Sequence, residues 1–151
     1  SISKELFDWI YDNVEIGSTI LELGSGAGTY ELARYYKMYS IEHDENFVGK
    51  YNTTYIHAPI KQYDGYKWYD VNILQNKLPD DYDLLLIDGP PGGIGRIGIV
   101  DNIDLFSTNI PIIVDDTNRR AESELLNNLK EVLGKSEITR VNSDKKESTI
   151  I

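Results

Sequence analysis

Apolar residues follow two different periods along this chain. Ile2, Leu6, Ile10 and Val14 recur at every fourth position, with Phe7 and Trp9 beside them. That spacing predicts a leading amphipathic helix, closed near Gly17. Short apolar runs then predict strands over 19–23, 38–42, 54–57, 82–87 and 110–114. The run Asp83-Leu84-Leu85-Leu86-Ile87 is apolar from Leu84 onward, as in a strand buried on both faces at the centre of a parallel sheet. Helical spacing returns over 27–36 and over 121–133, where Leu125, Leu126, Leu129 and Leu133 share a face and Gly134 stops the helix. The segments 137–141 and 148–151 predict a closing hairpin around Asn142-Ser143-Asp144. The stretch 59–71 fits neither period, being aromatic, polar and interrupted by Gly65. The stretch 89–98, with five glycines and two prolines, reads as a mobile loop.

Strand and helix alternate from residue 19 to residue 134, which predicts an α/β sheet covered by helices on both faces. In such sheets ligands bind outside the carboxyl ends of the strands, where strand order reverses. The acidic and glycine-rich features of this chain fall at those ends.

Composition narrows the picture. The 151 residues, 40% hydrophobic and 26% charged, suit one domain with a sizeable core. No apolar run approaches the ~18 residues of a membrane span, and the first residues show no signal-peptide pattern. Cysteine is absent, which excludes disulfides and thiolate metal sites. Together these features lead us to expect a cytoplasmic protein. The net charge is −10, and the cations are scattered apart from Arg119-Arg120 and Lys145-Lys146. That argues against a nucleic-acid partner, which calls for a basic face.

The densest chemistry lies in Ile20-Leu21-Glu22-Leu23-Gly24-Ser25-Gly26-Ala27-Gly28-Thr29 and in Ile41-Glu42-His43-Asp44. A strand, a glycine turn, a helix and a second strand ending in acid form a nucleoside site. Glycines let the backbone approach a ligand, the helix start offers free N–H groups, and the acid accepts from ribose hydroxyls. A dinucleotide turn needs Gly-x-Gly-x-x-Gly; counted from Gly24, its last glycine is Thr29 here. The alternative is that the glycines only shape a tight turn and Glu42 is a solvated strand end.

These residues resemble the class I S-adenosylmethionine-dependent methyltransferases. The segment from Leu21 to Thr29 looks like that family's first motif, and Ser40-Ile41-Glu42-His43-Asp44 like its second-strand motif. Leu85-Leu86-Ile87-Asp88-Gly89-Pro90-Pro91 looks like its fourth-strand motif. The resemblance implies a Rossmann-like, mostly parallel seven-stranded sheet whose last strand is antiparallel. It also implies S-adenosylmethionine bound by Glu22, Gly24, Ser25, Gly26, Gly28, Thr29, Glu42, His43 and Asp88, with Glu42 on the ribose.

Methyl transfer from a sulfonium needs an aligned, deprotonated acceptor. His57, ending the third strand, is a candidate base, or else a packed or exposed histidine. Asp88, Asp115 and Asp116 end neighbouring strands, and the pattern resembles metal-dependent O-methyltransferases. That implies Mg²⁺ or Mn²⁺ held by Asp88, Asp115 and Asp116, lowering the pKa of an acceptor hydroxyl. Competing readings make Asp116, Thr117 or Asn118 a helix N-cap and Asp88 a contact for the methionine end of the cofactor. Amino-methyltransferases carry an acid or amide directly before Pro-Pro, but here Gly89 intervenes. Arg96 is either an acceptor-binding group or an exposed loop residue, and Arg119 and Arg120 read as surface residues of a first helical turn. Tyr63, Tyr66, Trp68 and Tyr69 either stack on a ligand ring or pack in the core.

The expected function is therefore methylation of a hydroxyl oxygen on a small molecule or sugar. The alternatives are an N-methyltransferase acting on a protein, nucleic acid or small amine, and a non-catalytic nucleotide-binding Rossmann module. With no inserted cap domain, a second subunit is a natural means of completing the acceptor site.

Overall fold

The computed structural model describes residues 1–151. Helix α1 (Lys4–Asn13) is capped by Ser3, whose hydroxyl accepts from the Leu6 N–H. There follow β1 (Thr19–Leu23), α2 (Ala27–Leu32), β2 (Lys37–Glu42) and β3 (Thr54–His57). A hairpin of β4 (Ile60–Tyr63) and β5 (Tyr66–Tyr69) leads into α3 (Val71–Lys77) and β6 (Leu84–Ile87). The chain ends with α4 (Gly98–Asp101), β7 (Ile112–Val114), α5 (Arg120–Leu133), β8 (Thr139–Asn142) and β9 (Glu147–Ile150). Seven strands form one sheet in the order β3-β2-β1-β6-β7-β9-β8, and only β9 runs against the others. The predicted sheet is thus present, including its antiparallel last strand.

A period of two is hidden inside the continuous apolar run of β6. Leu84 and Leu86 face one layer, with Ile20, Ile113 and the α1 residues Leu6 and Ile10. Leu85 and Ile87 face the other, with Leu21, Leu23, Val114, Trp68 and the α5 residues Leu125, Leu126 and Leu129. Both faces are therefore covered, which is why the central strand needs no polar position. No helix is long and apolar enough to cross a membrane.

Several boundaries differ from those predicted, each for a local reason. The helix expected over 27–36 stops at Leu32. Tyr36 instead turns inward, and its hydroxyl donates to the Val14 carbonyl at 2.8 Å at the end of α1. The strand expected over 110–114 starts only at Ile112, because Pro111 has no N–H for the ladder. Tyr82 and Asp83 lie outside β6. Asp83 accepts from the Thr19 N–H at 2.9 Å and fixes the entry to β1. The closing hairpin forms one to two residues away from the predicted bounds.

The unreadable stretch 59–71 is the β4–β5 hairpin, turned at Asp64-Gly65 with Gly65 at φ +87°. Trp68 and Tyr69 are consecutive and both fully buried, so the stretch shows no alternation. At Gly98, a Cβ would stand 2.4 Å from Trp68 Cγ, so only glycine lets α4 lie on this hairpin.

Candidate functional site

The chain leaves β1 for β2 and β3 on one side and returns through β6 on the other. The carboxyl ends of β1, β2 and β6 therefore diverge into a crevice at the switch point. Gly24 (φ +88°) and Gly89 pack against one another there. A Cβ on Gly24 would meet the Asp88 carbonyl oxygen at 2.8 Å, and one on Gly89 would meet Tyr69 Oη at 2.6 Å. Beside this contact lies a cavity of about 240 Å³, lined by Gly24, Ser25, Glu42, His43, Asp44, Phe47, Asp88 and Pro91.

Glu42 is the polar centre of that cavity. Its Oε1 accepts from Ser25 N–H (3.2 Å) and Ser25 Oγ (2.5 Å), and its Oε2 accepts from the Asp44 N–H (3.0 Å). Glu22 stands behind the turn rather than in the cavity. It accepts from Thr29 Oγ1 (2.6 Å) and from Ser40 Oγ, and Thr29 Oγ1 in turn accepts from the Gly26 N–H. Burial pushes the Glu22 carboxyl up to about 8, against the lowering effect of those two hydroxyl donors.

The cofactor residues expected from sequence therefore divide. Gly24, Ser25, Glu42, His43 and Asp88 line the cavity, whereas Glu22, Gly26, Gly28 and Thr29 shape the turn around it. His57, the candidate base, lies beside β2 with its ring on the His43 carbonyl (3.3 Å), outside both this cavity and the next. Asp44, Phe47 and Pro91 also line the cavity; Asp44 and Pro91 belong to the quoted motifs but were not among the expected cofactor residues. Phe47 follows the acid closely enough in sequence to have suggested a ring beside a nucleoside.

A second cavity, about 490 Å³, adjoins the first through Asp88 and Pro91. Its other lining residues are Ser1, Gly92, Arg96, Asp116, Arg119, Lys145 and Lys146, with no Leu, Ile, Val, Met or aromatic side chain among them. A larger groove of about 680 Å³ runs between α1 and α2 and includes no strand-end acid.

Asp88, Asp115 and Asp116 converge as expected, with one carboxylate oxygen from each lying within 4.8 Å of the others. Their cations were only partly legible in the sequence. Arg96 is buried, not exposed: its Nε donates to the Pro90 carbonyl (3.0 Å), and its Nη2 lies 3.4 Å from both Asp88 and Asp116. Glu122, in the first turn of α5, stands 3.8 Å from Arg96 and 3.7 Å from Arg119. Lys146 Nζ reaches across from the closing hairpin to Asp115 (2.7 Å) and Asp116 (3.4 Å). The loop expected to be mobile is thus pinned by its own arginine. The helix cap also differs: Arg119, not Asp116, Thr117 or Asn118, is the N-cap of α5, and Asp116 sits at φ +62°.

Electrostatics separates the carboxylates. Burial, and then the charge of Asp115, pushes Asp88 up to about 7. Burial also works to raise Asp115, but donors from Lys146 and Ser148 outweigh it and hold this carboxyl below its ordinary value. Asp115 thus stays ionised while Asp88 holds its proton more readily.

No family model and no curated protein matches this sequence. Solved structures do match its fold. A methyltransferase from Pyrococcus furiosus superposes with TM-score 0.58 at 16% identity, covering 96% of this chain and 79% of that one. Human methyltransferase-like protein 13, in complex with S-adenosylhomocysteine (SAH), gives 0.54 at 15% identity, covering 90% and 72%. The MycE methyltransferase of the mycinamycin biosynthetic pathway, in complex with Mg and SAH, gives 0.54 at 13% identity, covering 97% and 46%. With seven strands in this order, a glycine turn after β1 and an acid ending β2, the chain has the fold of the class I S-adenosylmethionine-dependent methyltransferases.

Proposed function

We propose that this protein transfers the methyl group of S-adenosylmethionine to a hydroxyl oxygen of a small polar molecule or sugar. The observation that carries the reading is that the two cavities at the carboxyl edge share Asp88 and Pro91. The donor belongs in the smaller cavity, where the Glu42 carboxylate accepts from ribose hydroxyls as it accepts from the Ser25 hydroxyl here. The Phe47 ring flanks the adenine, and Gly24 and Ser25 bring the turn's backbone to the methionine end. Bound SAH in structures of the same fold supports this choice of donor.

The acceptor then lies in the larger, polar cavity. Its oxygen bonds to the methyl carbon as the carbon–sulfur bond breaks and the electron pair passes to sulfur. The hydroxyl proton must leave, and Asp88, at the junction, is the carboxylate within reach of it. His57 lines neither cavity and takes no part.

The same carboxylates suit a divalent ion. Three carboxylates converging within 4.8 Å are the oxygen donor set that Mg²⁺ or Mn²⁺ prefers. Asp88, Asp115 and Asp116 would hold the ion, with Lys146 giving up its place between Asp115 and Asp116 and Arg96 its place between Asp88 and Asp116. A bound ion supplies Lewis acidity that lowers the pKa of an acceptor hydroxyl, and the MycE structure of this fold contains Mg.

Thermal-shift measurements with S-adenosylmethionine, SAH and NAD test the donor. We expect stabilisation by the first two and none by NAD. A shift with NAD alone would overturn the reading.

A further inference from the structure

We infer that the acceptor is an anionic, hydroxyl-bearing molecule, such as a sugar or polyol carrying a carboxylate or phosphate group, held by Arg119 and Lys145. The inference rests on the methyl-transfer reading above, because it assigns the cavity of about 490 Å³ to the acceptor.

Charge is layered around that cavity. Asp115, Asp116 and Glu122 are buried, with side chains no more than 5% exposed. In front of them the Arg119 side chain is open to solvent at 54% exposed, and that of Lys146 is partly exposed at 22%. The acids behind thus fix the cationic heads at the cavity face. Arg119 Nη1 is held 3.4 Å from Asp116 and 3.7 Å from Glu122, so the guanidinium is already ordered and loses little freedom on binding an anion. Lys145 is an exposed cavity residue that forms no ion pair. The start of the 14-residue helix α5, whose cap is Arg119, adds its positive pole to the same side.

The lining carries four cationic side chains, Arg96, Arg119, Lys145 and Lys146, against two carboxylates, Asp88 and Asp116. On a chain of net charge −10, an anion is repelled by most of the surface and favoured where these cations gather. The absence of aliphatic and aromatic lining disfavours a flat apolar acceptor. Asp88, at the junction, completes the pattern by offering an acceptor to a hydroxyl group, and neither Arg119 nor Lys145 contacts it.

The test is calorimetric titration of the protein, with and without saturating SAH, by glucuronate, glucose 6-phosphate and glucose. We expect at least one charged sugar to bind at least tenfold more tightly than glucose. Which of the two binds better distinguishes a carboxylate from a phosphate. Lys145→Gln is expected to weaken that binding at least threefold and Arg119→Gln at least fivefold, with SAH affinity unchanged in both. Glucose binding as tightly as either charged sugar, no binding of any of the three, or unaltered affinity in both variants would each overturn the inference. Failure of SAH to bind the wild-type protein is read separately and counts against the donor assignment instead.

Discussion

Glu22 and Glu42 are both buried and lie on neighbouring strands, but only Glu42 lines the cavity proposed for the donor. Glu42 is paired to backbone and hydroxyl donors that a ribose would replace, so its removal acts on affinity. Glu42→Ala is expected to weaken SAH binding about 10- to 100-fold, the equivalent of losing one charge-assisted hydrogen bond. Isothermal titration reads this directly, and an unchanged affinity would remove Glu42 from the donor site. Glu22 acts on stability instead. Its folded pKa of about 8 lies above the ordinary carboxyl value of 4.5. Between those values the folded state binds more protons than the unfolded state, so this group's contribution is complete below pH ~4.5 and is lost as pH rises through about 8. Glu22→Gln keeps the neutral form at every pH and still offers an oxygen to Thr29 and Ser40. The variant should therefore gain on wild type as pH rises, by on the order of 4 kcal/mol across the window. Urea unfolding at pH 5, 7 and 9 measures that gap, and a gap independent of pH would contradict the assignment.

At the scale of elements, the loop after β6 shows what a sequence conveys and what it withholds. Five glycines and two prolines marked residues 89–98 as a loop beside the site, and so it is up to Ile97, where α4 follows. Their composition also suggested mobility, whereas Arg96 ties the loop to Pro90, Asp88 and Asp116. That tie is made across strands, and only a folded sheet brings its partners together. The same limit hid the β4–β5 hairpin, whose residues take their burial from α4 and the core rather than from their own alternation. By contrast, the glycine turn, Glu42 and the three strand-end aspartates were legible, because a strand's carboxyl end fixes where its last side chain goes. Arg96→Gln should cost about 3–5 kcal/mol, since it leaves the Asp116 and Glu122 carboxylates buried without this cation. Arg119→Gln, at a half-exposed position touching the same two acids, should cost about 1 kcal/mol or less. Denaturant midpoints of the two variants compare them, and equal losses would show that burial does not set the difference.

For the whole molecule, a charge of −10 attracts divalent cations everywhere, so metal binding alone says little about Asp88, Asp115 and Asp116. A built site is distinguished by saturation and by dependence on one carboxylate. An ion that binds only the folded protein, at a hundredfold excess over its Kd, adds about 2.7 kcal/mol. For a domain of this size that is a rise in Tm on the order of 5–10 °C. We expect Mn²⁺ to produce a saturating rise of that order at constant ionic strength, and Asp115→Asn to abolish most of it. Asparagine keeps an oxygen for the Ser148 hydroxyl, which now donates to Asp115 at 2.6 Å, so the variant changes charge more than packing. Lys146→Met should enlarge the rise, because the ammonium that bridges Asp115 and Asp116 no longer competes with the ion. A rise as large in Asp115→Asn as in wild type would mean that the ions are spread over the acidic surface. Lys146, Arg96 and Arg119 would then be the side-chain cations that balance the cluster, and the proton of the acceptor would be left to Asp88 alone.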